Sequence, residues 1–159
     1  MARARAIGGL GPDMPMREAA ARTVEVRAKE VFSFAGAVLD TDDIERVHDM
    51  RVATRRLRAA LEVFQPCFPK RELGHALRDV KRLADALGAR RDPDVALAAV
   101  ERVAQGLGAA DRPGIESFED ELRADQAMGN YTLEQALAEA SETQLEARLL
   151  ALAAEAREA

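Results

Sequence analysis

The chain has 159 residues, a formal net charge of −5 and a pI near 5.2, with 48% hydrophobic, 32% charged and only 4% aromatic residues and no Trp. That length suffices for one domain with a real core, and the balance excludes an intrinsically disordered chain. The single Cys67 excludes an intrachain disulfide and a cysteine metal cluster, and no apolar run approaches the roughly 20 residues a membrane helix needs.

Residues 1–14 read as a flexible arm; they carry arginines but no long apolar stretch, so no secretory signal is expected and the cytoplasm is the expected compartment. A first helix is predicted from Met16 to Leu39, with Met16, Ala20, Val24, Val31, Ala35 and Val38 on one side. "EVRAK" at Glu25–Lys29 lies on that helix and is given no functional role. Asp40–Asp43, "DTDD", supplies capping and first-turn acids for a second helix that runs to Phe64 and stops before Pro66 and Pro69. A third is predicted from Lys70 to Leu87, closed by Gly88 as a left-handed cap. Asp92 as N-cap and Pro93 as first helical residue then open a fourth, running to Leu107.

Ile115, Phe118 and Leu122 mark a short fifth helix ending near "MGNY", and Thr132 with Gln135 matches a capping box for a long last one. In that last helix Leu133 and Leu137 share one face whereas Leu145, Leu149 and Leu152 share another. Either a break near Ser141 or contact with two different neighbours accounts for the shift. No period-two pattern occurs, so the fold class is all-α, an antiparallel bundle of about four to six helices.

Charge is segregated along this scaffold. Between Arg46 and Arg91 stand twelve Lys/Arg against five Asp/Glu, and from Pro113 onward three basic against eleven acidic residues. At about 100° per residue, His48, Arg51, Arg55 and Arg58 fall in a stripe roughly 80° wide, opposite Met50, Ala53, Leu57, Leu61 and Phe64. Arg56 lies off that stripe. On the third helix Arg71, Arg78, Lys81 and Arg82 cluster away from Leu73, Leu77, Val80, Leu83 and Leu87, with Asp85 placed to pair with Arg82 or Arg78. Arg90 and Arg91 stand at the expected start of the fourth helix, where free N–H groups attract anions. Guanidinium forks one helical turn apart suit phosphate oxygens on a polyanion. The same stripe also suits a solvated face or one neutralised by the acidic C-terminal segment, and a lone His48 suits a structural role.

The stretch "VHDMRVATRRLRAALEVFQPCFP" resembles the CHAD (conserved histidine α-helical domain) family, and "LRDVKRLADALGARRDPDV" is similar to that family's next helix and its Leu-Gly…Arg-Asp-x-Asp-Val turn. The resemblance spans Arg46 to Val95. It implies a helical bundle that binds inorganic polyphosphate, with His48, Arg51, Arg55, Arg58, Arg78, Lys81 and Arg82 as contacts. Arg56 matches the motif's doubled arginine; Arg90 and Arg91 match a turn whose role can also be structural. Family domains comprise two related four-helix halves, and this chain resembles the first. Residues 15–110 are then a basic four-helix half, and 111–159 are acidic helices of the same domain or a dimerisation segment. The binding surface is half-sized, or completed by a second chain as a homodimer, or the chain is part of a longer protein.

No carboxylate cluster, nucleophile–base pair or phosphate-cradling loop is evident, so no enzyme, cofactor or metal is expected. The alternatives to polyphosphate are a nucleic-acid phosphate, disfavoured by the lack of aromatic residues for stacking, and pairing of the basic face with acidic protein surfaces.

Overall fold

In the computed structural model, which describes residues 3–108 and 110–158, the chain forms five α-helices and two 3-10 turns, and no strand occurs among these residues. They are α1 (Met16–Phe32), α2 (Ile44–Val63), α3 (Lys70–Ala104), α4 (Arg112–Glu142) and α5 (Leu145–Glu158). The start of the expected arm at Met1 and Ala2, and Ala109 beyond the expected end of the fourth helix, lie outside the described residues, as does Ala159. None of the described helices is long and apolar enough to cross a membrane.

The α1 helix stops short of Leu39. The Ser33 hydroxyl donates to the Glu30 carbonyl at 2.7 Å, a local bond that competes with the helical ladder. The 3-10 turn Ala35–Ala37 follows and delivers Val38 into the core. The α2 helix matches expectation at both ends. Its Asp43 carboxylate pairs with Arg46 at 2.8 Å and does not cap the backbone. Pro66 sits in the closing 3-10 turn Gln65–Cys67, and Pro69 leads into α3 with extended backbone.

Two expected boundaries are absent. The chain runs as one helix through Gly88 and Pro93, so Asp92 is not an N-cap and residues 15–110 hold three long helices where four were expected. Proline lacks the N–H that the Ala89 carbonyl four residues earlier would accept. Packing accommodates the loss. An ideal Cβ built on Gly129 of α4 lies 2.7 Å from the Ala89 oxygen and 2.9 Å from the Arg90 Cα, so the two backbones touch where Pro93 leaves the carbonyl free. A Cα–H···O contact is the weak bond available at such crossings. The second absent boundary is at Thr132. Its hydroxyl donates back to the Met128 carbonyl at 3.0 Å inside a continuous α4. The turn comes at Thr143–Gln144, where Gln144 has φ 52°, so a break separates the two leucine faces.

Each of α1, α2, the first half of α3 and α5 packs on the next, and α5 returns to α1, which closes a ring. One cluster of buried residues draws on all five helices, from Val24 and Leu57 to Leu133, Leu149 and Ala153. From Leu133 onward the acidic C-terminal segment is therefore part of the same core. At about 1.5 Å per residue the 35-residue α3 is roughly 50 Å long and α2 roughly 30 Å. The distal part of α3 pairs with the first half of α4.

The N-terminal segment is tied down. The Arg5 amide donates to Glu30 at 3.0 Å, Arg27 donates to the Arg5 carbonyl at 2.7 Å, and Arg22 reaches Gly8. At the far end of the chain Arg157 bridges Glu18 at 3.1 Å and Glu25 at 3.0 Å, clasping α5 to α1. Glu18 is held below the usual carboxylate range first by its hydrogen bond from Arg22 and then by Arg157. Glu25 is lowered by Lys29 and then Arg157. Within "EVRAK", Lys29 and Glu25 pair at 2.7 Å near the surface, while Arg27 and Ala28 are buried.

Gly129→Ala should lower the urea midpoint. Overpacking costs about 1–3 kcal/mol, against about 1 kcal/mol gained in helix propensity. An unchanged or raised midpoint would show that the backbones can separate freely. Because Glu18 and Glu25 have lowered values when folded, the clasp contributes stability above the ordinary carboxylate value of 4.5 and loses it as pH falls through the folded values. Arg157→Ala should therefore lower the thermal midpoint at neutral pH, and the two midpoints should converge in acid. A gap of equal size at both pH values would assign the effect to packing.

Candidate functional site

Charged side chains that a helix wheel groups together separate in the structure into three environments. The first is outward and unpaired. Arg51 and Arg55 on α2 and Arg78 on α3 are exposed, and among the described residues no carboxylate lies within ion-pair distance of them. His48, half-buried, opens the same stripe. The core face is as expected: Met50, Ala53, Leu57 and Leu61 are buried and Phe64 is half-buried. Arg78 lies back over Gly74, its guanidinium 3.8 Å from the position a Cβ there would take.

The second environment is exposed but paired. Arg58 meets Glu62 at 2.8 Å and Lys81 meets Asp85 at 2.6 Å, each one helical turn along. Asp85 thus holds Lys81, where Arg82 or Arg78 was expected. Arg82 instead crosses to Glu139 of α4, and Arg148 of α5 crosses to Asp79. Exposed pairs of this kind contribute about 0–1 kcal/mol each, so a stronger anion can displace the carboxylate.

The third environment is interior, and it corrects part of the expected set. Arg90 has 0% exposure. Its guanidinium pairs with Asp94 one turn on, and its Nε donates to Asn130 of α4 at 3.1 Å. Gln126 donates to the same Asp94 oxygen at 2.7 Å, and the Asn130 amide donates to the Leu39 carbonyl at 3.2 Å. Arg91, mostly covered, sits 3.8 Å from both Glu45 and the second Asp94 oxygen. These two arginines join α3 to α4 and to the first turn of α2, and Asn130 extends the contact to Leu39. Arg56 also turns inward, 3.7 Å from the buried Glu30, which pairs with Arg27 as well. Burial demands such partners, because an unpaired interior charge costs several kcal/mol.

The acids missed by the sequence reading are Glu30 and Asp94, together with Gln126 and Asn130. The signal was present in the i,i+4 spacings: Arg90 with Asp94 on one helix, Gln126 with Asn130 on another. Among the described residues no group of three or more His, Cys, Asp or Glu side chains has metal-holding geometry. Chemically, Arg51, Arg55 and Arg78 offer forked donors to an anion outside the protein, while Arg58, Lys81 and Arg82 can be released from surface carboxylates.

Comparison with known proteins follows the same residues. The sequence matches the family described as CHAD domain over residues 20–159. The match extends well past the N-terminal half to which the resemblance had been assigned, in keeping with α5 completing the ring. The uncharacterized protein Rv2226 of Mycobacterium tuberculosis is 31% identical over 98 residues, which cover 58% of this chain and 19% of that protein. The chain therefore spans a minor part of that relative's length.

Asp94→Ala should destabilise the fold by about 3–5 kcal/mol, since it strands the buried Arg90 charge. The double variant Arg90→Met/Asp94→Leu should recover much of that loss in chemical denaturation. A double variant as unstable as the single one would mean that the pair itself, and not the uncompensated charge, sustains the crossing.

Proposed function

This chain belongs to the CHAD-domain family, and from that premise we propose that it binds inorganic polyphosphate without catalysis, through the exposed cations of α2 and α3. The observation that carries the reading is the pair Arg51 and Arg55. They stand one helical turn apart, exposed, and among the described residues no carboxylate neutralises them. Like charges at i,i+4 destabilise a helix by a few tenths of a kcal/mol, and an external polyanion relieves that repulsion.

The proposed contact set is His48, Arg51, Arg55, Arg58, Arg78, Lys81 and Arg82. Arg51, Arg55 and Arg78 act directly, and Arg58, Lys81 and Arg82 act by exchanging a carboxylate for phosphate. Arg56, Arg90 and Arg91 stay with their interior acids and hold the helices that present the others. Short flexible tethers and Arg forks suit a repeating phosphate chain better than a compact ligand enclosed in a pocket, and such binding is driven by counterion release.

Long-chain polyphosphate titrated into the protein should bind with an affinity that falls steeply with salt. For a single-stranded polyanion the slope is roughly −0.7 per neutralised phosphate. Arg51→Ala/Arg55→Ala should weaken binding by at least about tenfold, equivalent to about 1.4 kcal/mol, with unchanged helix content. Equal affinity for the wild type and this variant would remove the α2 stripe from the site. Single-stranded DNA competing as well as polyphosphate would turn the reading toward nucleic acid.

A further inference from the structure

Beyond the bundle, the distal part of α3 and the first half of α4 carry an unusual surface. Among the described residues between Asp94 and Gly129 few are buried, with Leu122 the buried hydrophobic, while Val95, Val103, Leu107, Phe118 and Met128 are exposed. Residues 92–131 hold nine acidic and three basic side chains. On α4 most of this charge is handled locally or lies apart: Arg123 pairs with Glu119 at 3.1 Å and with Asp120 at 3.3 Å. Glu121 and Asp125 are exposed, and among the described residues no cation lies within ion-pair distance of either.

Their placement matches α2. Phe118, Glu121, Asp125 and Met128 follow one another at intervals of three, four and three, in a stripe roughly 80° wide. His48, Arg51, Arg55 and Arg58 follow the same intervals in a stripe of the same width. The sequence of intervals reads identically in both directions, so two helices can align the stripes parallel or antiparallel. In either alignment the unpaired Glu121 and Asp125 meet the unpaired Arg51 and Arg55. The exposed Phe118 (48%) and Met128 (67%) then flank the ion pairs and lie under His48 and the Arg58 stem. Arginine suits such a surface, since it forks onto carboxylates, stacks on aromatic rings and covers apolar groups with its stem.

We propose that the α4 stripe of one copy docks on the α2 stripe of a second copy, reciprocally, so that two chains form a two-fold dimer. Both stripes are on the outside of the same chain, and each carries a same-sign pair one turn apart that the other neutralises. A contact in which each copy supplies both halves closes on itself. Where polyphosphate binds the α2 stripe, a consequence that rests on the function proposed above, it displaces the partner's α4 and splits the dimer.

The test is solution mass by light scattering or sedimentation over a dilution series. At low salt the wild type should reach twice the 17.3 kDa chain mass. At about 1 M salt, where the Debye length is roughly 3 Å, it should return to the mass of one chain. Arg51→Glu/Arg55→Glu and Glu121→Arg/Asp125→Arg should each be monomeric at low salt with unchanged helix content. Mixed in equal amounts, the two variants should restore the dimer, because the acidic reversed α2 of one meets the basic reversed α4 of the other, while the two native stripes pair as in the wild type. A monomeric wild type at low salt, or a mixture that stays monomeric, overturns the pairing. Dimers that persist in either reversed variant overturn it too, and would place the contact elsewhere. Long-chain polyphosphate added to the wild-type dimer should halve its mass. A dimer that keeps its mass while binding polyphosphate overturns the shared surface. A successful charge swap with no polyphosphate binding would support the pairing and overturn only the function it was joined to.

Discussion

Arg90 and Asp94, a fully buried ion pair held from across the interface by Gln126 and Asn130, set the crossing on which the long helices depend. Burial of two charges contributes little net stability, because desolvation offsets most of the attraction. What the network supplies is register. The Asp94 carboxylate accepts from Arg90 and Gln126 in one rotation of α4 about its axis, and the same rotation brings Gly129 onto the Ala89 carbonyl that Pro93 leaves without a donor. Asn130 then reaches the Leu39 carbonyl, so the segment entering α2 is held by the same contact that aligns α3 and α4. Rotating α4 by one residue would break these bonds together.

That constraint decides which charges face water. With α4 fixed at Gly129, Leu122 and Leu133 turn inward and Glu121 and Asp125 turn outward. With α2 packed through Met50, Ala53 and Leu57, its arginines divide. Arg56 goes to the buried Glu30, Arg58 to Glu62, and Arg51 and Arg55 to solvent. A helix whose only requirement was stability would carry an acid one turn from Arg51, as it does one turn from Arg58 and from Lys81. Position 55 carries a second arginine instead. The repulsion left in the folded chain is small, and it is confined to the surface where an external anion can act on it.

Period and punctuation agreed along α2, and there both ends of the helix and its core face were legible: apolar residues recurred with the helical repeat, acids preceded the first turn and two prolines followed the last, although Asp43 pairs with Arg46 instead of capping. They disagreed at Gly88–Pro93, where local rules for glycine and proline call for a stop. The feature that overrides them, Gly129, is 36 residues beyond Pro93 and shows itself only when two helices touch. Thr132 was misread for a related reason. A threonine hydroxyl can cap the start of a helix or bond back to the carbonyl four residues earlier, and the motif alone does not distinguish the two. The structural role left open for Arg90 and Arg91 could not be preferred from the sequence, because burial of Arg90 depends on Asp94 and on the position of α4, which periodicity alone does not give. The shift of leucine faces near Ser141 was visible, and the left-handed Gln144 is its physical form.

The two proposed ligands of Arg51 and Arg55 differ in how much of the basic surface they can use. A partner's α4 brings two carboxylates at fixed spacing, matched to two guanidiniums, and leaves Arg78, Lys81 and Arg82 untouched. A phosphate chain has no fixed end. Having engaged Arg51 and Arg55, it can continue to Arg78 and then compete with Asp85 and Glu139 for Lys81 and Arg82, whose exposed pairs are individually weak. Each further exchange releases counterions from the polyanion, a gain the α4 stripe lacks because its charge density is low. In the proposed scheme the pairing between chains is therefore the weaker and shorter contact, one that would cover the arginines when polyphosphate is scarce and give way when it is abundant.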